Sequence, residues 1–269
     1  AMKILYLAPD IILPGTHGGS AHVQSKLISL KRLGHDILLV CRKGAGQRFA
    51  DREQQTTLRI PVLPGLLKPF SLIVFPFFVT LYLLLHGDVH LVYERGRIFG
   101  GCSIFLASLF RVRSIYELNE PYPDVPVLLG LYDQDSFLMK AVRWWHHFIV
   151  KRATMITVTH PSLIHHGLAP AEKTIVISHG VDTFTFSPSR GTAVRKKHHL
   201  GNRFVVLYTG SFAPWHSCEQ IVRTAKKLHK KNNITFLLVG KGEQYESCRQ
   251  LAQELGVSKQ FVFTHEVPF

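Results

Sequence analysis

With 269 residues, 46% of them hydrophobic, the chain can bury one large core or two modest ones, which excludes a disordered tail protein. The formal net charge of +14 implies attraction to phosphates, nucleotide diphosphates or an anionic membrane face. The basic residues are scattered in small groups such as Arg195-Lys196-Lys197 and Lys226-Lys227, without an aromatic-interleaved stripe, so nucleic acid is not an expected partner.

The run Lys3 to Ala8 is short and apolar, a loop with Pro14, Gly15, Gly18 and Gly19 follows, and a helical pattern begins at Ser20. Gly34 closes that helix and Asp36 to Cys41 reads as the next buried strand, a right-handed βαβ unit. The apolar stretch Phe70 to Leu85 is shorter than the roughly 20 residues a spanning helix needs, and Pro76 interrupts it. It fits a helix packed between a sheet and its neighbours, or an apolar surface resting on a bilayer. Further along come a strand Val89–Tyr93, a helix Phe99–Phe110, a strand Arg113–Leu118, a loop with Pro121, Pro123 and Pro126, and a helix Phe137–Arg152. Strands Met155–Val158 and Thr174–Ile177 flank a short helix from Ser162, and the run ends in His179-Gly180-Val181-Asp182.

This is the alternation of a doubly wound α/β domain, set at residues 1–183. Residues 184–203 read as a linker. A second, partial α/β pattern covers residues 204–269: strand Phe204–Tyr208, helix Cys218–His229, strand Ile234–Val239, helix Gln244–Leu255 and strand Phe261–Thr264.

Ala1 precedes a natural-looking start at Met2 and reads as a residue left from cloning; no signal-peptide pattern follows it. Cys41, Cys102, Cys218 and Cys248 form no Cys-x-x-Cys pair, which fits a reducing cytoplasm rather than a disulfide framework. Among the 16 histidines, the doublets His146-His147, His165-His166 and His198-His199 point adjacent side chains apart, and no His-Glu-x-x-His occurs. Neither a metal nor a cofactor is expected.

Three glycine loops follow strands directly. Gly18-Gly19 lets main chain approach an anion at a helix N-terminus, where free N–H groups and the dipole favour a diphosphate, although such a pair also serves as a simple tight turn. Gly210-Ser211 and Gly240-Lys241-Gly242-Glu243 are the others; Lys241 suits either a phosphate or solvent. Their spread over two domains suggests a ligand held in the cleft between them.

Read in order, Gly18-Gly19, Tyr93-Glu94-Arg95, Tyr116 to Pro121, His179 to Asp182, Gly210 to His216 and Val239 to Gly242 resemble the family 4 retaining glycosyltransferases of the GT-B fold. The resemblance implies a GT-B-like chain with one complete Rossmann-like domain and a partial second one. It implies transfer of a hexose-type sugar from a nucleotide-diphosphate donor to a saccharide or lipid-linked acceptor, with retention and without a metal. The first domain would hold the acceptor and the second the donor. By position, Gly18 and Gly19 approach the donor phosphates, Gly210 and Ser211 lie near the diphosphate, and Gly240, Lys241, Gly242 and Val267 lie near the nucleobase.

Asn119 stands where many members have a histidine touching the donor sugar, with Glu120 beside it as a second catalytic candidate; an amide is neither acid nor base. Phe212 and Trp215-His216-Ser217 replace the family's Arg and Lys-Gly cations, with His216 a partial substitute when protonated. The family's paired glutamates and final helix would lie beyond Phe269, so the chain reads as truncated. The simpler roles stay open: Glu117, Asn119 and Glu120 ordering the Pro-rich loop, Arg95 pairing a carboxylate, Asp182 stabilising a hinge turn, and Trp144-Trp145 packing. So does a non-enzymatic alternative, a nucleotide-sugar-binding scaffold. Acceptor contacts are expected from loops 45–67 and 122–136, and a cytoplasmic location, extending to the inner face of the cell membrane, fits a membrane-linked acceptor.

Overall fold

The computed structural model describes residues 1–15, 18–44, 50–51, 56–61, 63–180, 191–228, 233–265 and 267. The chain divides into two compact units, Ala1–Gly15 with His22–Gly180, and Thr16–Ala21 with Val181–Phe269. Val181 and Asp182, linker residues 184–190 and loop residues 45–49, 52–55 and 62 lie outside the described residues.

The first sheet is built from β1 (Lys3–Ile12), β2 (Asp36–Arg42), β3 (Ala50–Asp51), β4 (Thr56–Ile60), β5 (Leu91–Arg95), β6 (Arg113–Leu118), β7 (Met155–Val158) and β8 (Thr174–Val176). Its order is β3-β4-β2-β1-β5-β6-β7-β8, parallel except where β3 meets β4. From β1 the chain steps outward through β2 and β4, returns to the centre, and steps out the other way from β5. The order therefore reverses between β1 and β5, and in open α/β sheets ligands bind outside the carboxyl ends of strands at such a switch.

Period-two alternation gives this sheet two cores. Leu5 and Leu7 point into a core with Val92, Ile104, Tyr116 and Ile149, on the side of α2 (Lys68–His86), α3 (Cys102–Leu109) and α5 (Phe137–Arg152). Ile4, Tyr6 and Ala8 point the other way, onto Val23 and Leu27 of α1 (Gly18–Arg32). Helix α2 packs Leu72, Phe75, Val79 and Leu83 against the first of these cores and leaves Phe70, Phe78, Tyr82 and Leu85 exposed on its other side. Among the described residues no helix is long and apolar enough to cross a membrane.

In the second unit, α7 (Gly191–Lys197) precedes β9 (Phe204–Thr209), α8 (Glu219–Lys227), β10 (Ile234–Val239), α9 (Tyr245–Glu254) and β11 (Phe261–Thr264). Its strands are parallel in the order β11-β10-β9. Phe212, Val222, Phe236, Leu238, Tyr245 and Cys248 form its core. Here α7 occupies part of the segment read as linker, because Ala193-Val194-Arg195-Lys196-Lys197 suits a helix even without an apolar stripe.

Other departures have equally local causes. Within the loop assigned to residues 45–67, β4 pairs in parallel with β2 from Leu38↔Thr56 to Arg42↔Ile60 and on its other side with the two-residue edge strand β3, a position near the margin of the sheet where a Thr-Thr-Leu-Arg-Ile run suffices. The Pro-rich loop contains the short helix α4 (Val125–Leu128), which Pro126 tolerates in its first turn. Helix α3 starts at Cys102, later than expected from Phe99, because Phe99 and Gly101 take left-handed backbone at φ 55° and 95°.

The start of α3 is held by Glu94. Its fully buried carboxylate accepts from Gly101 N–H (2.7 Å) and Ser103 N–H (3.1 Å), groups a helix N-terminus leaves unpaired, and from Arg97 Nη1 (3.0 Å). Arg97 in turn donates to the Leu72 carbonyl of α2 at 2.8 Å. Glu94→Ala leaves Arg97 and two N–H groups buried and unpaired, so urea denaturation should show a loss of roughly 3–5 kcal/mol, with Glu94→Gln losing less. Wild-type stability in both variants would rule out this role.

Candidate functional site

The residues on the α1 side of β5 and β6 converge beside the switch. Tyr6 and Tyr93 are register partners and their rings stack at 4.8 Å. Arg95 and Glu117 are the next such pair, two residues along β5 and β6 from Tyr93 and Ile115, and so on the same face. Glu94, between Tyr93 and Arg95, points to the opposite face, which is why it serves α3 instead.

Glu117 is buried and both its oxygens are engaged. Lys26 of α1 reaches Oε2 at 2.6 Å and also donates to the Tyr93 hydroxyl at 3.1 Å. Tyr6 O–H donates to the same oxygen at 3.5 Å, and Asn119 Nδ2 donates to Oε1 at 2.9 Å. Burial works to raise the Glu117 carboxyl, but Lys26, Asn119 and Tyr93 outweigh it and hold it below the usual carboxylate range. Burial, reinforced by Glu117, keeps both phenols protonated: Tyr6 and Tyr93 are pushed well above their ordinary values. With its oxygens occupied, Glu117 is an anchor rather than a general base.

Around this anchor several buried polar atoms lack a hydrogen-bond partner among the described residues: Asp10 Oδ1 on β1, Arg95 Nε and Nη1 on β5, and Asn119 Oδ1 just after β6. Arg95 itself is only 8% exposed. His22 of α1 and His179, which follows β8, approach with ring centroids 3.6 Å apart. Burial lowers both, and nearby Arg95 and Lys26 push in the same direction.

In the second unit the loops after β9 and β10 lock onto one another. Gly210 N–H donates to the Val239 carbonyl (3.0 Å), Phe212 N–H to that of Lys241 (2.9 Å), and Gln244 N–H to that of Phe212 (2.9 Å). Gly240 and Gly242 lie at φ 146° and 152°; a Cβ on the first would strike the Gly210 carbonyl, and on the second would come within 2.7 Å of Phe212 main chain. The chain's own packing therefore requires these two glycines. A Cβ on Gly18 would meet nothing within 4 Å, so packing makes no such demand where α1 begins.

Comparison with known proteins shows the lineage. Residues 17–180 match the model of the glycosyl transferase 4-like domain, and residues 190–268 match that of the glycosyl transferases group 1. The chain belongs to the family 4 glycosyltransferases. A GDP-mannose-dependent alpha-(1-6)-phosphatidylinositol monomannoside mannosyltransferase of Mycolicibacterium smegmatis is 32% identical over 92 residues, 33% of this chain and 24% of that protein. Among solved structures, sucrose-phosphate synthase of Thermosynechococcus elongatus superposes with a TM-score of 0.76 at 16% identity, covering 99% of this chain and 71% of that one. HepE of Anabaena, solved with UDP and glucose, gives 0.66 at 17%, covering 100% and 70%. These likenesses give the fold, GT-B, with a Rossmann-like arrangement in each unit.

For this family 4 chain the expected site residues fall in different settings. Asn119 is partly buried and fixed by Glu117, whereas Glu120 is exposed and only its carbonyl is engaged, by Tyr122 N–H at 2.8 Å. Gly18 and Gly19 open α1. Phe212 is fully buried against Tyr208 and Tyr245, a core residue rather than a replacement for a phosphate-facing cation. His216 is exposed, and its Nδ1 lies 2.7 Å from the Ser211 carbonyl and 3.1 Å from Ser211 Oγ. Since a carbonyl only accepts, Nδ1 carries the proton, and Nε2 becomes a donor only when the ring is protonated. Lys241 and Val267 are exposed.

Sequence reasoning missed Lys26, His22, Tyr6 and Asp10. Lys26 lies seven positions, two helical turns, after Gly19, which was the one available signal that it shares the face of the glycine turn.

These ionisations set the response to acid. His22, His179 and the buried His146, which burial also lowers, stay neutral in the fold, while the unfolded chain protonates them below about pH 6.5. Their contribution to stability is present above that pH and is lost as pH falls through the lowered folded values. Glu117 has the same sign at lower pH: its contribution is present above about pH 4.3 and is lost as pH falls through its lowered value. The denaturation midpoint should therefore fall between pH 7 and pH 5, and H22Q with H179N should flatten the slope, leaving the part due to His146. An unchanged slope in that double variant would contradict the pairing.

Proposed function

We propose that the chain binds a nucleotide-diphosphate sugar and transfers its hexose-type sugar to an acceptor with retention, in the synthesis of a cell-envelope glycan or lipid-linked saccharide. The observation that carries this reading is the succession of the two family matches along the chain, the first ending at the strand that precedes residue 180 and the second spanning the glycine loops after β9 and β10. A relative named for GDP-mannose and a structural neighbour solved with UDP and glucose support the donor class. The chain spans about 70% of the solved structures it resembles, and its match covers 24% of the mannosyltransferase.

In this reading the first unit holds the acceptor and the second the donor. Main chain at Gly210-Ser211 and the His216 ring face the diphosphate, and Gly240, Lys241, Gly242 and Val267 face the base; no metal is invoked. Asn119 contacts the sugar without moving a proton, because an amide has neither an acidic nor a basic function at neutral pH. The exposed face of α2, with Phe70, Phe78, Tyr82 and Leu85, together with the net charge of +14, supports peripheral contact with an anionic membrane from the cytoplasmic side. Sedimentation with vesicles containing phosphatidylserine at physiological salt checks that contact; no co-sedimentation would remove it.

Isothermal titration of the chain with UDP, GDP, UDP-glucose and GDP-mannose is the direct test. Binding of one base family is expected, and binding of none would refute the reading. His216 lies beside Ser211 in this loop, so H216A should weaken diphosphate binding by roughly tenfold in the same titration, and unchanged affinity would remove His216 from the reading. Binding without turnover would favour the nucleotide-sugar-binding scaffold over the transferase.

A further inference from the structure

The second sheet is open along β11. In the order β11-β10-β9, β10 is the only strand beside it among the described residues. Thr264 turns its carbonyl inward, accepting from Gly240 N–H at 3.2 Å, so by the alternation of a strand Phe263 turns both its N–H and its carbonyl outward, and Phe261 its carbonyl. The Phe261 N–H is spent on the Ser258 carbonyl. Outward groups of this kind are a template for another strand. In the first unit β4 holds the same outer place in the run β4-β2-β1, and there antiparallel β3 covers its far side.

Beside this edge lies a groove of about 420 Å³ between β11 and α9. Tyr245, Arg249 and Ala252, spaced i, i+4 and i+7 and so on one face of α9, line one wall, and the half-buried Phe261 and Phe263 line the other. Phe263 meets Tyr245 edge-on at 5.9 Å and lies nearly parallel to Phe261 at 5.4 Å. The space is where a further strand beside β11 would set its side chains against α9. Arg249 is already paired with Glu246 at 3.1 Å, so the groove adds little repulsion toward a chain of net charge +14.

A second copy of the chain supplies the strand that fits. Phe261-Val262-Phe263-Thr264 is aromatic and β-branched throughout and carries no charge. A two-fold axis makes the pairing antiparallel and isologous, and residues directly opposite in an antiparallel pair share a face. Centring the axis on Val262 sets Phe261 against Phe263 of the second copy, twice over, on the helix side, and Val262 against its own counterpart on the other face. In that register Phe263 N–H donates to the Phe261 carbonyl of the second copy and the symmetry repeats the bond, so the groups that point outward are the ones that meet. We propose that β11 pairs antiparallel with β11 of a second copy of this chain, joining two three-stranded sheets into one and seating the phenylalanines of each copy in the other's groove.

Sedimentation equilibrium of the whole chain at physiological salt, from about 1 to about 300 μM, tests this: the mass should double with a dissociation constant of roughly 10–100 μM, as suits a small interface. V262K sets two like charges opposite each other at the axis and should leave a monomer, with circular dichroism confirming its fold, whereas V262T should dimerise like wild type. L207K, on β9 at the other edge of the sheet, where Leu207 is 59% exposed, should leave the dimer intact. V262C brings two thiols to a non-hydrogen-bonded antiparallel position, with Cα atoms about 4.5 Å apart, inside the range a disulfide spans. Oxidised glutathione should therefore turn V262C into a covalent dimer, while wild type, whose four cysteines are buried, stays uncrosslinked.

Monomer at every concentration would overturn the proposal and leave the groove to another occupant. A dimer that V262K does not disturb, or that L207K alone abolishes, would overturn it as well, the second result moving the contact to β9. Should V262K fail to fold, the V262C cross-link decides: a covalent dimer upholds the pairing, and its absence from a chain that still self-associates removes it. Nucleotide titrations bear on the transfer reading only, because no residue of this interface is assigned to the donor.

Discussion

The ion pair between Lys26 and the buried Glu117 organises the carboxyl edge of the first sheet. A carboxylate this deep is expensive without compensation, and here the compensation comes from helix α1 through Lys26, from β1 through Tyr6, and from the loop after β6 through Asn119. One charge therefore ties α1 to the sheet at the point where the strand order reverses. The orientation of Asn119, the neutrality of Tyr6 and Tyr93 and the low proton affinity of His22 all follow from burial and from the charges concentrated there.

A second buried carboxylate, Glu94, shows how the geometry of one strand separates support from recognition. Successive residues of β5 point to opposite faces, so Tyr93 and Arg95 join the polar edge while Glu94 turns to the other core and holds the start of α3. The run Tyr93-Glu94-Arg95 looks like a single motif in sequence. In space it is two devices, one built to keep a helix and its arginine in place, the other left with unpaired donors at the strand ends.

What was legible in the sequence was whatever local pattern dictates. β6, β7 and α5 stand where periodicity places them, β1 begins at Lys3 as read but runs on past Ala8 to Ile12, and the apolar Phe70–Leu85 stretch is indeed a helix with one packed and one exposed side. Strand β4 was not legible because its pairing with β2, rather than any apolar run of its own, makes it a strand. At the site, Asn119 could be singled out through family resemblance, but its anchor could not: Lys26 and Glu117 are 91 positions apart, and only the sheet order brings them together. Gly240 and Gly242 illustrate the converse. Their spacing suggests ligand approach, yet left-handed backbone against Gly210 and Phe212 already demands glycine at both.

The strong positive charge of the chain is also resolved by location. Lys140, Lys151, Arg152, Lys196 and Lys197 are exposed on helix surfaces. This part of the excess belongs to the surface, where it acts at long range and is screened by salt. In the second unit the Gly210 and Phe212 N–H groups are spent on the Val239 and Lys241 carbonyls, so the loops after β9 and β10 are held together by their own main chain. Phe212 completes that arrangement, since the side chain beside Gly210-Ser211 is fully buried against Tyr208 and Tyr245 and is committed to packing rather than to charge.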